Sequence, residues 1–131
     1  MGRGRRAFAF QTVRGSLAEV LADRDLASLG DAYVNFVDSL ALSNRRGKPL
    51  GIRVKGTVLA EALRRAGLRD CLGSGMTRHM LADAAEALLV YAWLNGCITL
   101  DECVAVMGKA GDSVEGLSLL LATAKKRVTF P

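Results

Sequence analysis

Apolar and polar positions alternate with a helical period along most of this chain. The most uniform stretch is Leu81–Gly96, LADAAEALLVYAWLNG, where nearly every position is Ala, Leu, Val, Tyr or Trp on all sides. A helix without a polar face is normally buried rather than laid on a surface. Upstream, Leu26, Leu29, Tyr33, Phe36, Val37 and Leu40 recur at helical spacing and predict a helix from about Asp25 to Ser43. Thr57–Ala66 predicts another, with Leu59, Ala62, Leu63 and Ala66 inward and Gly67 as its cap. Capping patterns mark three further starts. Ser16-x-x-Glu19 opens a short helix to about Asp23, Thr99-x-x-Glu102 one to about Ala110, and Asp112-x-x-Glu115 a last one from Ser113 to about Lys126. The uniform helix itself begins near Thr77, after a turn region at Leu68–Gly75. Residues 1–15 carry no period and read as a flexible or docking arm on a single helical domain, 16–131. The expected fold class is all-α, with about six or seven helices.

Two acids break the uniform helix. Asp83 and Glu86 sit in its first turns at spacing i, i+3, so both carboxylates share one face. Acids are among the residues least often found inside a protein unless they are paired or hold a metal. An acidic first turn also suits the helix dipole, so this pair alone leaves both readings open. The earlier helix adds a second clue. Asp31 and Asn35 lie one turn apart, away from its apolar stripe, with Ser28 and Ser39 flanking them. Gly30, just before Asp31, costs about 1 kcal/mol against Ala inside a helix. A glycine there is easier to explain where another backbone or a ligand comes close. Three carboxylates converging from two apolar helices would repel unless a divalent cation sits among them.

Leu29-Gly30-Asp31-Ala32, followed about fifty residues later by Leu81-Ala82-Asp83-Ala84-Ala85-Glu86-Ala87-Leu88, resembles the ribonuclease III catalytic domain. That family carries an L-G-D-A helix and a later A-D-x-x-E-A-L helix, and both match in order. The likeness covers roughly Asp25–Gly96. It implies an all-α ribonuclease III-like domain that cuts double-stranded RNA as a homodimer, using Mg²⁺ or Mn²⁺. Where ribonuclease III proper has a glutamate four residues before the first aspartate, this chain has Ala27. A small residue there is similar to the archaeal-type or Mini-ribonuclease III arrangement, which lacks a double-stranded-RNA-binding domain. The segment between the motifs is also short, with Glu61 its only acid before Asp70. By this resemblance Asp31 and Glu86 are direct metal ligands, and Asp83 binds through water or orients the others. Asn35 is a candidate for positioning a water.

Charge adds a substrate class. The net charge is +5, but residues 1–14 (Arg3, Arg5, Arg6, Arg14), 43–55 (Arg45, Arg46, Lys48, Arg53, Lys55) and Lys125–Arg127 contain bases and no acid. Basic appendages on an acidic body suit a protein that grips phosphates at its rim and metal at its centre, and equally a solvated charged surface. The RNA-binding candidates are Arg3, Arg5, Arg6, Arg45, Arg46, Lys48, Arg53 and Lys55. Phe8 and Phe10 in the arm are expected to pack on a partner subunit or stack on a base, packing being favoured.

Other chemistries are thinned out. With His79 the single histidine, a Ser/His or Cys/His arrangement has little support, and His79 itself reads as helix-start packing or a phosphate contact. Cys71, Cys97 and Cys103 lack metal-ligand spacing and read as free thiols. No apolar run reaches membrane-spanning length and no signal-peptide core is present, so the expected compartment is the cytosol. Two alternatives stand beside the nuclease: a ribonuclease III-like double-stranded-RNA-binding protein with impaired catalysis, and a helical dimerisation module whose acids pair with Arg64, Arg65 or Arg78. In either dimer, Tyr91 and Trp93 are candidates for the contact or for the core.

Overall fold

A computed structural model describes residues 8–131 of the chain. Six α-helices carry the described residues, with no strand among them. They are α1 (Leu17–Leu21), α2 (Arg24–Arg46), α3 (Gly56–Arg65), α4 (Arg78–Leu94), α5 (Leu100–Lys109) and α6 (Ser113–Arg127). A 3-10 turn, Arg69–Cys71, sits in the connection before α4. Arg3, Arg5 and Arg6 lie outside the described residues.

The expected all-α architecture is the observed one, and α4 is its axis. From Leu81 to Leu94 it buries every residue except Asp83 and Trp93. It packs against α1, α2, α3 and α6, while α5 closes the far side between α2 and α6. Five of the six starts are capped by side chains. Ser16, Asp23, Thr77, Thr99 and Asp112 each accept a backbone N–H of the following turn. Only Thr99/Glu102 forms the reciprocal box; Glu19 and Glu115 reach past their caps to the N–H groups of Gly15 and Gly111.

α2 is longer than the sequence suggests, continuing three residues past Ser43 to Gly47, whose φ of 72° ends it. Its buried face is also rotated from the apolar stripe. Leu26, Ala27, Gly30, Tyr33, Val34, Val37 and Ala41 face α4 and α5, whereas Leu29 and Phe36 point outward at 41% and 53% exposure. The small residues win the inner face because α2 must come very close to α4. A Cβ on Gly30 would land on the Glu86 carbonyl group. The glycine is therefore required by a backbone crossing.

The described part of the arm is docked. Asn95 Nδ2 donates to the Thr12 carbonyl at 2.8 Å, and the Arg14 N–H donates to the Tyr91 hydroxyl at 3.0 Å. The Arg14 guanidinium pairs with Asp23 at 2.8 Å, holding that carboxyl below its usual range although burial acts in the opposite direction. Phe8 packs on Trp93 of its own chain, ring centroids 5.9 Å apart, and Trp93 in turn on Tyr33 at 5.2 Å. Tyr91 is wholly inside. Thus Arg14 and Phe8 serve the body, and Tyr91 is a core residue rather than a contact for a partner. No helix among the described residues is long and apolar enough to cross a membrane.

Candidate metal centre

The α2–α4 crossing opens toward solvent as a cleft of about 560 Å³. Each helix lines it with the same pattern of positions. Arg24, Ala27, Ser28 and Asp31 come from α2, and His79, Ala82, Asp83 and Glu86 from α4. Both sets follow i, i+3, i+4, i+7, one stripe of an α-helix. Because Gly30 lets the backbones touch at Glu86, Asp31 is carried to the mouth of α4's acidic turn. Arg53, Val54, Gly56 and Leu59 close the third side.

The three acids differ in setting. Glu86 is only 6% exposed. Burial pushes its carboxyl up to about 8; Asp31, near enough to share its proton, and the charge of Asp83 push the same way, while Arg53 opposes them. Asp31 is half-exposed, with Arg53 Nη2 at 3.6 Å from its Oδ2 and Asn35 Nδ2 donating at 3.4 Å to its Oδ1. Asp83 lines the cleft from the exposed side. The structure therefore brings Asp31 and Glu86 together, with Asp83 on the same wall. As the side chains stand, no group of three His, Cys, Asp or Glu among the described residues is close enough to hold an ion.

The donor set still suits a hard divalent cation in kind: every acid offers oxygen, and a desolvated carboxyl facing two like charges gains most from an added positive charge. Asp31 and Glu86 would hold the ion, with Asp83 reached through water or a rotamer change. The competing reading paired the acids with Arg64, Arg65 or Arg78, and none of these three does so. Arg64 and Arg65 are taken by Glu61 on their own helix, at 3.1 and 3.2 Å, and among the described residues Arg78 forms no ion pair; the arginine beside Asp31 is Arg53.

Beside the cleft, the basic loop is stitched to α2 by a regular ladder. Asn35 Oδ1 accepts the Val54 N–H at 2.7 Å. Ser39 Oγ accepts the Ile52 N–H at 2.9 Å and donates to the Ile52 carbonyl at 3.2 Å. Ser43 Oγ does the same with Leu50, at 3.0 and 3.1 Å. Four helical residues rise about 6.0 Å and two residues of extended chain span about 6.6 Å. Hence i, i+4, i+8 on the helix meets every second residue of the loop, running antiparallel. The intervening Gly51, Arg53 and Lys55 are left exposed. Asn35 is thus a strut between Asp31 and the loop rather than a group aimed into the cleft.

The other candidates scatter. Arg45 donates to the Met107 carbonyl at 3.3 Å and so braces α5. Arg46 and Lys48 are exposed near the C-terminal end of α2, about 22 Å along its axis from Asp31. The sequence reading missed Arg24, although its place two turns before Asp31 put it on the same face. The clamping role of Ser39 and Ser43 was hidden because its partners are backbone groups of a loop.

No curated protein matches this chain. A family model does, and it covers the α2–α4 crossing, both acidic motifs and the helices that close the core. From the first residue of α2 to the last turn of α6, residues 24–126 match ribonuclease III, and the chain belongs to that family.

Proposed function

We propose that the protein is a divalent-metal-dependent endoribonuclease that hydrolyses phosphodiester bonds of double-stranded RNA. Family membership supports a ribonuclease at the coarse level. The observation that carries the finer reading is Glu86, a buried carboxyl held against Asp31 at the floor of an open cleft. When bound, Mg²⁺ or Mn²⁺ supplies a water of lowered pKa and neutralises charge developing on the phosphate. Asp31 and Glu86 would hold it directly, and Asp83 would bind through water or orient the set. Arg53 offers its guanidinium to a phosphate oxygen in exchange for Asp31, and His79 and Arg24 line the approach. Asn35 keeps Arg53 at its post through the neighbouring Val54 N–H. Arg46, Lys48 and Lys55 align a duplex by its backbone, with little reading of sequence.

The protein acts in RNA processing, in the cytosol, as a homodimer. Arg3, Arg5 and Arg6 of the arm add to the RNA-binding residues. Ala27 favours one second reading, a relative that binds duplex RNA without turning it over, since it adds no carboxylate to a pair that already lacks a close third.

The test is incubation of the purified chain with a long RNA duplex, with and without Mg²⁺ or Mn²⁺. Cutting should require the metal, spare single strands and DNA, and fall by about a hundredfold or more in Asp31→Ala or Glu86→Ala, while duplex binding survives. Binding should weaken steeply with salt as phosphate contacts release counterions. Intact duplex that is nevertheless bound would replace the enzyme reading with the RNA-binding one.

A further inference from the structure

A second cavity adjoins the cleft. It measures about 310 Å³ and lies between α1, the turn before α4 and the start of α4. Leu72, Met76 and Met80 form its apolar walls, Ala18 and Ala22 its α1 side, and Cys71 its edge. Arg24, Ala27 and Asp83 line both cavities, so the two share a wall.

We propose that this cavity receives one nucleobase of the RNA, unpaired beside the phosphate to be cut. The inference rests on the endoribonuclease reading above and names the kind of duplex that the site prefers. Continuity comes first: the cavity shares Arg24, Ala27 and Asp83 with the cleft that would take the phosphate, so the adjoining base has a site next to it. Chemistry agrees, because the flat face of a base suits apolar walls, and thioethers such as Met76 and Met80 contact aromatic rings favourably. Arg24 and Asp83 stand at the shared wall to meet its polar edge; Asp23, which lines the smaller cavity alone, is already taken by Arg14 and the Leu26 N–H. Size agrees too, since 310 Å³ is at the floor of the range of about 300–1,000 Å³ that small-molecule pockets occupy. The wall is held in place: Arg69 donates to the carbonyls of Leu72 and Gly73 at 3.5 and 3.1 Å. Taking a base out of a stack is least costly when it is already mismatched or bulged. The preferred substrate is therefore a duplex carrying an unpaired nucleotide at the cleavage site.

Cys71 is an exposed thiol on the cavity edge, whereas Cys97 is half-buried and Cys103 buried. It serves as the reporter. The full chain in EDTA is alkylated with N-ethylmaleimide, alone or with saturating RNA, either fully paired or with one bulged nucleotide, and the Cys71 peptide is quantified by mass spectrometry. The bulged duplex should protect Cys71 about tenfold better than the paired one, a difference worth 1.4 kcal/mol. With Mg²⁺ restored, the bulged duplex should be cut faster by a similar factor. Ala22→Phe, which fills the cavity from its exposed rim, should abolish that preference while the paired duplex is still cut. Equal protection by both duplexes would overturn the proposal whether or not Ala22→Phe folds. If the paired duplex is cut and protection is equal, the cavity inference alone falls; if neither duplex is bound or cut, the endoribonuclease reading falls and takes the cavity with it. Protection by neither duplex despite tight RNA binding would overturn the cavity inference in the same way.

Discussion

Glu86 concentrates the cost of the site in one side chain. Its carboxyl titrates near 8 in the folded protein against an ordinary 4.5, raised first by burial and then by Asp31 and Asp83. Ionising it is therefore harder in the folded state than in the unfolded one. The sign follows: without metal, the contribution of Glu86 to stability is fullest below pH 4.5, falls as pH rises through this window, and levels off above about 8. Glu86→Gln removes the titration while keeping the shape. In EDTA at pH 9 the variant should melt higher than the parent by roughly 5 °C or more, and the two should converge near pH 4. Parallel melting curves across that range would show Glu86 to be ordinary. Gly30 permits a second test at this scale. Alanine there gains about 1 kcal/mol in helix propensity, but its methyl group meets the Glu86 carbonyl, which is backbone and cannot turn aside. Overpacking costs typically about 1–3 kcal/mol or more, so Gly30→Ala should be net destabilising in urea melts and should lose cleavage, because it moves Asp31 away from Glu86.

The ladder between α2 and its following loop is the feature that matters most among the elements. Asn35, Ser39 and Ser43 form five hydrogen bonds to the backbone of Val54, Ile52 and Leu50. Each is worth about 0.5–1.5 kcal/mol net, and together they convert a glycine-containing loop into a fixed rail for Arg53 and Lys55. Ser39→Ala with Ser43→Ala should cost about 2 kcal/mol in stability. Amide exchange at Leu50 and Ile52 should quicken, and affinity for duplex RNA should drop more than turnover at saturation. Unchanged exchange at those two amides would remove the rail. The arm calls for a different cut from the one its basic composition suggests. Deleting 1–14 would strip Thr12 and Arg14 from Asn95, Tyr91 and Asp23 and so loosen the core. Deleting 1–7 tests the arginines alone.

At the scale of the whole molecule, the outward apolar positions give the proposed homodimer a surface to use. Leu29 and Phe36 are seven residues apart on α2 and leave a stripe at 41% and 53% exposure; Phe10 and Val13 add 51% and 45%, and both line one groove with Leu29. Exposed apolar patches of this kind mark interfaces, and this one runs along the helix that bears Asp31. Light scattering should report a dimer that Phe36→Asp converts to a monomer, with helical content retained and cleavage reduced by more than tenfold. A monomer in the unaltered chain across a wide concentration range would dismiss the homodimer.

The helices themselves were legible without coordinates. Periodicity and capping are local signals, and Thr77, Thr99 and Asp112 sit where their patterns place them. The burial of α4 followed from its lack of any polar face, and Gly30 announced a close approach because a glycine inside a helix needs a reason. What approached was decided only by the fold. The pairing of Asp31 with Glu86 depends on two helices distant in sequence crossing at one glycine. The rotation of α2 that turns Leu29 and Phe36 outward reflects the same crossing, since close backbone contact selects Ala27, Gly30 and Val34 over larger neighbours. Ser39 and Ser43 could not be read as clamps, because hydroxyl groups bonding a loop's backbone leave no complementary side chain in the sequence. Hydrophobic period says which residues can be buried; the partner surface, available only after folding, says which of them are.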